Sequence, residues 1–220
     1  MIAKDLVTDA VISLKTSDTG LTALHWMDEY KVEHMPIVNE SEFLGLVSEE
    51  DIFELNNYEE PLGNHPLSHQ NAYVNQSQHV YEVIRMFSEL KLTLLPVVDE
   101  KRKYLGVITL ATLVENLSAI AAINDPGGII VLELTANDYS ISEIAQIIES
   151  NDARVLSLYV TSHSDSNKLE LTIKVSRQDI QPILQTFQRY DYVIKASFFE
   201  SDYYDSLRER YDLLMNYLNI

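Results

Sequence analysis

The chain has 220 residues, 46% hydrophobic and 23% charged, which excludes a disordered or fibrous polymer. It holds no cysteine, so disulfide scaffolds, thiolate zinc sites, iron–sulfur clusters and cysteine nucleophiles are excluded too. Sixteen Lys and Arg against 34 Asp and Glu give a net charge of −18, which opposes nucleic acid and anionic lipid, since both are gripped by basic groups.

No apolar run reaches the roughly 18–20 residues of a membrane span. Charges within residues 1–10 interrupt what would be the apolar centre of a signal peptide. The expectation is a cytoplasmic protein with no membrane and no nucleic-acid partner.

In chain order, a helix is predicted over 19–30, with Leu21, Leu24 and Met27 at helical spacing. Strands at 36–38 and 43–47 flank a polar turn at 39–42, and Ser48 opens a helix carrying Ile52, Phe53 and Leu55. The pattern then recurs as a helix near 78–91, a strand at 96–98, a turn with Lys101, Arg102 and Lys103, a strand at 104–108 and a helix at 110–123. Residues 35–52, MPIVNESEFLGLVSEEDI, match 95–113, LPVVDEKRKYLGVITLATL, at an offset of 60 before the turn and 61 after it. Neither copy has enough strands to cover its own sheet, so the two should pack on each other about a pseudo-two-fold axis. Their charges differ: residues 1–60 carry 14 acidic and 3 basic side chains, residues 61–125 carry 6 and 5.

Residues 124–128, Asn-Asp-Pro-Gly-Gly, are turn formers and mark a boundary. Beyond them the order is β-α-β-β-α-β: a strand at 129–134, a helix at 140–150 with Ile141, Ile144, Ile147 and Ile148 on one face, strands at 154–161 and 168–175 around the turn at 162–167, a helix with Ile180, Ile183, Leu184 and Phe187, and a strand near 192–199. Pro182 fits the first turn of that helix, where its missing N–H costs nothing. Residues 201–220 place Tyr203, Leu207, Tyr211, Leu214 and Leu218 on one helical stripe, to pack on the body or on a partner helix.

The repeat resembles a tandem pair of cystathionine-β-synthase (CBS) domains. The motifs that carry the resemblance are Met35-Pro36-Ile37-Val38 with residues 45–51 (GLVSEED), and Leu95-Pro96-Val97-Val98 with Gly106-Val107-Ile108-Thr109. The last unit resembles an ACT domain, and the whole order resembles the acetoin-utilisation AcuB family. The fold class expected is α/β (α+β): CBS repeat 1 at 1–60, CBS repeat 2 at 61–123, a linker at 124–128, a ferredoxin-like, ACT-like domain at 129–200 and an amphipathic helix at 201–220.

The resemblance implies a regulatory protein, not an enzyme, with a ligand cleft between the repeats. It assigns Ser48 a hydroxyl and Asp51 a ribose-binding carboxylate, with backbone groups of Ile12, Met35 and Pro36 holding a base edge. Ser48 and Asp51 also fit a capping box, which needs no ligand. In the second copy Thr109 keeps the hydroxyl but Thr112 replaces the acid, so one strong nucleoside site per chain is expected. Glu49, Glu50 and Asp51 crowd the helix start and disfavour a polyanion. Adenosine, AMP or S-adenosylmethionine therefore ranks above ATP, which would need Mg. The ACT resemblance adds an amino-acid site at Asn137 and Asp138, which also read as turn and cap residues, and both modules imply a homodimer acting on an unknown regulated protein. His65 and His69 sit in a loop, His25 and His34 read as packing groups, and no nucleophile elbow, Walker loop or Rossmann fingerprint occurs.

Overall fold

A computed structural model of the chain describes residues 1–67, 69–135, 138–162, 167–199, 211, 213–215 and 217. The chain forms two compact units, Met1–Asn116 and Leu117–Ile220.

The first unit repeats one plan twice. Helix α1 (Gly20–Tyr30) starts where the Thr19 hydroxyl caps the Thr22 N–H and ends at Lys31, which adopts the left-handed conformation. Strands β1 (His34–Asn39) and β2 (Glu42–Ser48) pair antiparallel, and the short α2 (Glu49–Phe53) follows. Repeat 2 supplies β3 (Val74–Asn75), α3 (Val80–Leu90), β4 (Leu94–Val98), β5 (Tyr104–Thr109) and α4 (Leu110–Ile120). Even the irregularities recur, since the register slips at Ile37/Val38 in one hairpin and at Val97/Val98 in the other. The face of α1 differs from expectation. Gly20, Ala23 and Met27 are buried while Leu21 is exposed, because small residues let the helix approach Ile52 and the Tyr58 carbonyl. Leu55 lies beyond the end of α2.

The two repeats are joined across a local two-fold. The Tyr104 N–H donates to the Ser41 carbonyl at 2.8 Å, and the Phe43 N–H donates to the Arg102 carbonyl at 3.4 Å. These are the same bond made twice, offset by 61 residues. The segments that lead into each repeat cross over. Thr8, ahead of repeat 1, bridges Val107 of repeat 2, and His69, ahead of repeat 2, bridges Leu46 of repeat 1. Each lead-in then returns to its own repeat, Leu14 bridging Ile37 and β3 pairing parallel with β4. Periodicity carries no sign of this exchange, and β3 is too short to announce itself.

Gly106 permits one crossing. It has φ +139, and a Cβ there would lie 2.8 Å from the Thr8 carbonyl oxygen. Its counterpart Gly45 faces Leu67 of the other lead-in, with no unusual φ. Pro36 and Leu46, Pro96 and Val107 pair across the hairpins at the centre of a core that includes the fully buried Met35, Ile37, Leu94 and Ile108.

The second unit is a four-stranded antiparallel sheet in the order β7-β8-β6-β9, built from β6 (Ile129–Thr135), β7 (Val155–Ser162), β8 (Lys168–Val175) and β9 (Val193–Phe198). Helices α5 (Ile141–Glu149) and α6 (Gln181–Arg189) complete the ferredoxin-like order. Alternate residues Ile130, Leu132 and Leu134 of β6 and Leu171, Ile173 and Val175 of β8 bury against Ile144, Ile147, Ile183 and Phe187, each contributing roughly 1.5–3 kcal/mol. Pro182 does fall in the first turn of α6. Ile141 is exposed, so the buried stripe of α5 begins at Ile144. The expected helix at 201–220 lies largely outside the described residues.

Candidate functional site

Strand β2 delivers Ser48 to the start of α2 in extended backbone, and the sequence there closes a capping box. The Asp51 N–H donates to Ser48 Oγ at 3.0 Å, and the Ser48 N–H donates to Asp51 Oδ2 at 2.8 Å. Two of the orphan donors at this terminus are thus satisfied by the residues expected to meet a ligand, and the Glu49 N–H donates to the Glu33 carbonyl at 2.8 Å. In repeat 2 the Thr112 N–H donates to Thr109 Oγ1 at 3.1 Å, and the two hydroxyls lie 3.0 Å apart. The hydroxyl cap is shared by both repeats; the carboxylate belongs to the first alone.

A cavity of about 320 Å³ opens beside Asp51, with Glu54 and His65 as its other polar walls and Val47, Leu62 and Leu67 among its apolar ones. Of the residues that the resemblance assigned to the ligand only Asp51 lines it; Ser48 does not, nor do Ile12, Met35 and Pro36, assigned to the base edge. The crossover is the reason. The wall opposite Asp51 is the lead-in of repeat 2, residues 62–67, whereas Ile12 belongs to the lead-in that crosses to repeat 2. Met35 is fully buried, and the Pro36 carbonyl already accepts the Leu14 N–H at 2.8 Å.

Of the histidines in this unit, His65 shares the cavity wall with Asp51 and His34 feels its charge. His65 lines the cavity, its Nε2 3.5 Å from Glu60 Oε2. His34, at the start of β1, is only 8% exposed, and its ring meets that of His69 edge-on with centroids 6.0 Å apart. Thr93 ties His34 to repeat 2. The Thr93 N–H donates to His34 Nδ1 at 3.4 Å, its hydroxyl lies 3.1 Å from the same nitrogen, and the Glu33 N–H donates to that hydroxyl at 2.9 Å. An Nδ1 that accepts assigns the proton to Nε2 of a neutral ring. Burial, then the neighbouring His69, hold the His34 pKa below the usual imidazole value, while Glu33 and Asp51 pull the other way. Reading the chain alone set these rings aside as packing and loop groups. The signal lay in subtracting one repeat from the other, since Leu94 and Thr8 stand at the equivalent places.

In the second unit Asp138 accepts a hydrogen bond from the Thr135 hydroxyl. It lines a cavity of about 490 Å³ with Glu133, Glu143, Lys168, Tyr190 and Tyr192. Lys168 pairs with Glu133 at 2.7 Å, and the Tyr192 hydroxyl donates to Glu143 at 2.7 Å. Burial and that carboxylate raise the Tyr192 pKa. Asn137, the other half of the expected amino-acid site, lies outside the described residues. The basic turn is partly engaged, Arg102 lying 5.0 Å over the Tyr73 ring and donating to the Gln70 carbonyl at 3.2 Å. Among the described residues no group of three His, Asp or Glu is placed to hold a metal ion, and no helix is long and apolar enough to cross a membrane.

The CBS domain family profile matches residues 3–57 and 67–119, one match on each repeat. The chain is therefore a tandem CBS-domain protein, its first unit a CBS pair carrying a further α/β unit behind it. A solved CBS domain pair/ACT domain protein from Thermotoga maritima is similar at 26% identity and TM-score 0.50, over 54% of this chain and 98% of that one. A solved acetoin utilization protein (AcuB) from Vibrio cholerae is similar at 24% identity and TM-score 0.48, over 56% of this chain and 95% of that one. Among curated proteins, inosine-5'-monophosphate dehydrogenase of Methanocaldococcus jannaschii is 20% identical over 149 residues, 67% of this chain. The chain spans only 30% of that enzyme's length.

Proposed function

We propose that the chain is a regulatory protein, not a catalyst, that senses an adenosine-type ligand in the cleft between its CBS repeats. The observation that supports this most is the cavity of about 320 Å³ with Asp51 on its wall. Its size sits at the low end of the roughly 300–1,000 Å³ of small-molecule sites, suited to a nucleoside rather than a polyphosphate. A carboxylate can accept hydrogen bonds from both hydroxyls of a ribose, as the acid of dinucleotide folds engages the sugar. Asp51 and Glu54 on the wall, with Glu49 and Glu50 in the same helical turn, repel a polyanion. Adenosine, AMP and S-adenosylmethionine are favoured, and ATP would enter with Mg. Binding one of two arrangements better than the other would pass the signal to the ACT-like domain or to a homodimer interface. There the Asp138 cavity is the candidate amino-acid pocket, and the regulated protein docks on the result.

One observation favours a second reading. The Ser48–Asp51 capping box is complete without a ligand, as expected if the cleft is degenerate and the chain serves as a docking platform. Calorimetric titration of the intact chain with adenosine, AMP, S-adenosylmethionine, and ATP with Mg separates the two. On the sensing reading at least one binds. Asp51→Asn, which keeps an oxygen for the Ser48 N–H, then weakens it about 10- to 150-fold, the value of hydrogen bonds to a charged acceptor. Thr112→Ala changes affinity less than about threefold. Silence from every ligand at millimolar concentration leaves the platform.

A further inference from the structure

The two hairpin turns of the CBS pair meet at the local two-fold, and their chemistry does not match. Repeat 1 turns through Asn39-Glu40-Ser41-Glu42, whereas the turn of repeat 2 is one residue longer and carries Lys101-Arg102-Lys103. Between them lies a cavity of about 1080 Å³ whose charged walls are Lys15, Glu40, Glu42, Lys101, Arg102 and Lys103, and which shares no residue with the Asp51 cavity. Four cations against two carboxylates make it locally positive, in a chain whose net charge is −18. We propose that the joined turns form a second binding site, for an oligophosphate, either free or carried on a nucleotide. Nothing at Asp51 enters into this, so adenosine binding there succeeds or fails separately.

The backbone under each cation is fixed, while the charges themselves are left over. The Tyr104–Ser41 and Phe43–Arg102 backbone bonds stitch the turns together, and Glu42 bridges Lys103. Within the basic turn Asp99 Oδ1 accepts the N–H groups of both Lys101 and Lys103 at 2.8 Å, and the Asp99 carbonyl accepts the Arg102 N–H at 3.1 Å. The Arg102 guanidinium is held over the Tyr73 ring and donates to the Gln70 carbonyl at 3.2 Å, which leaves further N–H donors on its fork. Lys15 is anchored by its N–H on Asp18 Oδ2 at 2.7 Å, and its neighbour Thr16 bonds to the Asn39 side chain at 3.0 and 3.2 Å. Yet Lys15, Lys101 and Lys103 form no ion pair among the described residues, although Glu40 and Glu42 stand on the same wall. Cations held together without partners repel one another, and a polyanion relieves that repulsion. An oligophosphate spreads its charges along a short chain, which suits ammonium and guanidinium groups distributed across a cavity. The acidic Asp51 cavity repels the same compounds, so the two sites divide ligands by charge.

The test is calorimetric titration of the intact chain with sodium tripolyphosphate and with ATP, both without divalent metal, at about 50 and about 200 mM salt. Tripolyphosphate should bind, and bind more weakly at the higher salt because exposed cations are screened. Lys101→Gln combined with Lys103→Gln should weaken it about tenfold or more. Lys4→Gln combined with Lys91→Gln removes the same charge from the same unit outside the cavity, and should weaken it less than about threefold. ATP tighter than tripolyphosphate assigns the site to a nucleotide, and ATP weaker assigns it to the free chain; either supports the proposal when Lys101 and Lys103 are required. Silence from tripolyphosphate at millimolar concentration overturns it, even where ATP binds, since a base and not the phosphates would then be recognised. Equal weakening in the two double variants also overturns it, since net charge alone would be at work. Backbone-amide NMR gives an independent check. Tripolyphosphate should shift the amide signals of residues 40–42 and 101–103 and leave those of 48–51 in place; the reverse pattern would put the anion at Asp51 and sink the idea.

Discussion

The two clefts of the CBS pair are one geometric plan carried out with two chemistries. Repeat 1 caps α2 with Ser48 and Asp51 and sets His34 and His69 nearby; repeat 2 caps α4 with Thr109 and Thr112 and has Leu94 and Thr8 in the corresponding places. The shared parts are those the fold requires. They are the cap hydroxyl, the register slip, the glycine under the crossing lead-in, and the Pro between buried strand residues. The parts that differ carry charge or can acquire it. That separation is what a duplicated fold offers, because structural needs recur at the offset and a ligand's needs do not.

The sharpest break in the comparison falls on the glycines. Gly106→Ala puts a Cβ 2.8 Å from the Thr8 carbonyl oxygen at φ +139. It should cost about 2–4 kcal/mol, from backbone strain plus the displaced lead-in. Gly45→Ala meets the Leu67 side chain and has ordinary φ, so about 1 kcal/mol is expected. Urea unfolding followed by the single tryptophan, Trp26 on α1 of the first unit, reads both. Equal losses would mean that the two crossings are equivalent after all. A smaller effect tests what the repeats hold in common. Ser48→Ala and Thr109→Ala each remove a side-chain cap and should each cost about 1 kcal/mol by the same measurement. A Ser48→Ala loss well above that of Thr109→Ala would mean that Asp51 depends on the serine for more than capping.

Much of this was legible in the chain. The repeat, its offset, the hairpins and the βαββαβ order all follow from apolar periodicity and turn residues, because local burial patterns dictate them. The cap at Ser48 was legible from its Ser-x-x-Asp spacing; Thr109 was read only as keeping the hydroxyl and proves to cap as well. The composition of the cleft was not. The resemblance assigned Ile12, Met35 and Pro36 to a base edge, whereas Leu62, His65 and Leu67 on the cavity wall come from the lead-in exchange, a long-range pairing with no local signature. Leu21 misled because hydrophobicity marks a residue that can be buried, whereas Gly20 and Ala23 are the ones small enough for close packing. His34 looked like a core histidine and is one; what the chain alone did not say is that Thr93, His69 and Asp51 converge on it.

The gentlest probe of the comparison is pH, and it needs no ligand. Burial and His69 depress the His34 pKa below the roughly 6.5 of an unfolded chain. For a base this means the unfolded state binds more protons between the folded pKa and about 6.5, so stability rises with pH across that window. The contribution is fully present above about pH 6.5, is lost as pH falls toward the folded value, and levels off below it. His34→Leu removes the group. Leu94 occupies the matching place in repeat 2 fully buried, so an apolar side chain suits the site, but the Thr93 N–H loses its acceptor at a cost of about 1 kcal/mol. The variant should therefore be less stable than wild type at pH ~8 and lose less on acidification, so the two stability curves approach each other as pH falls below about 6.5. Leu94→Ala gives the control in repeat 2, a cavity cost of about 2–5 kcal/mol that is level in pH. Wild-type and His34→Leu curves that run parallel would show that the buried ring titrates as if exposed, and would leave Asp51 against Thr112 as the charge difference between the two repeats.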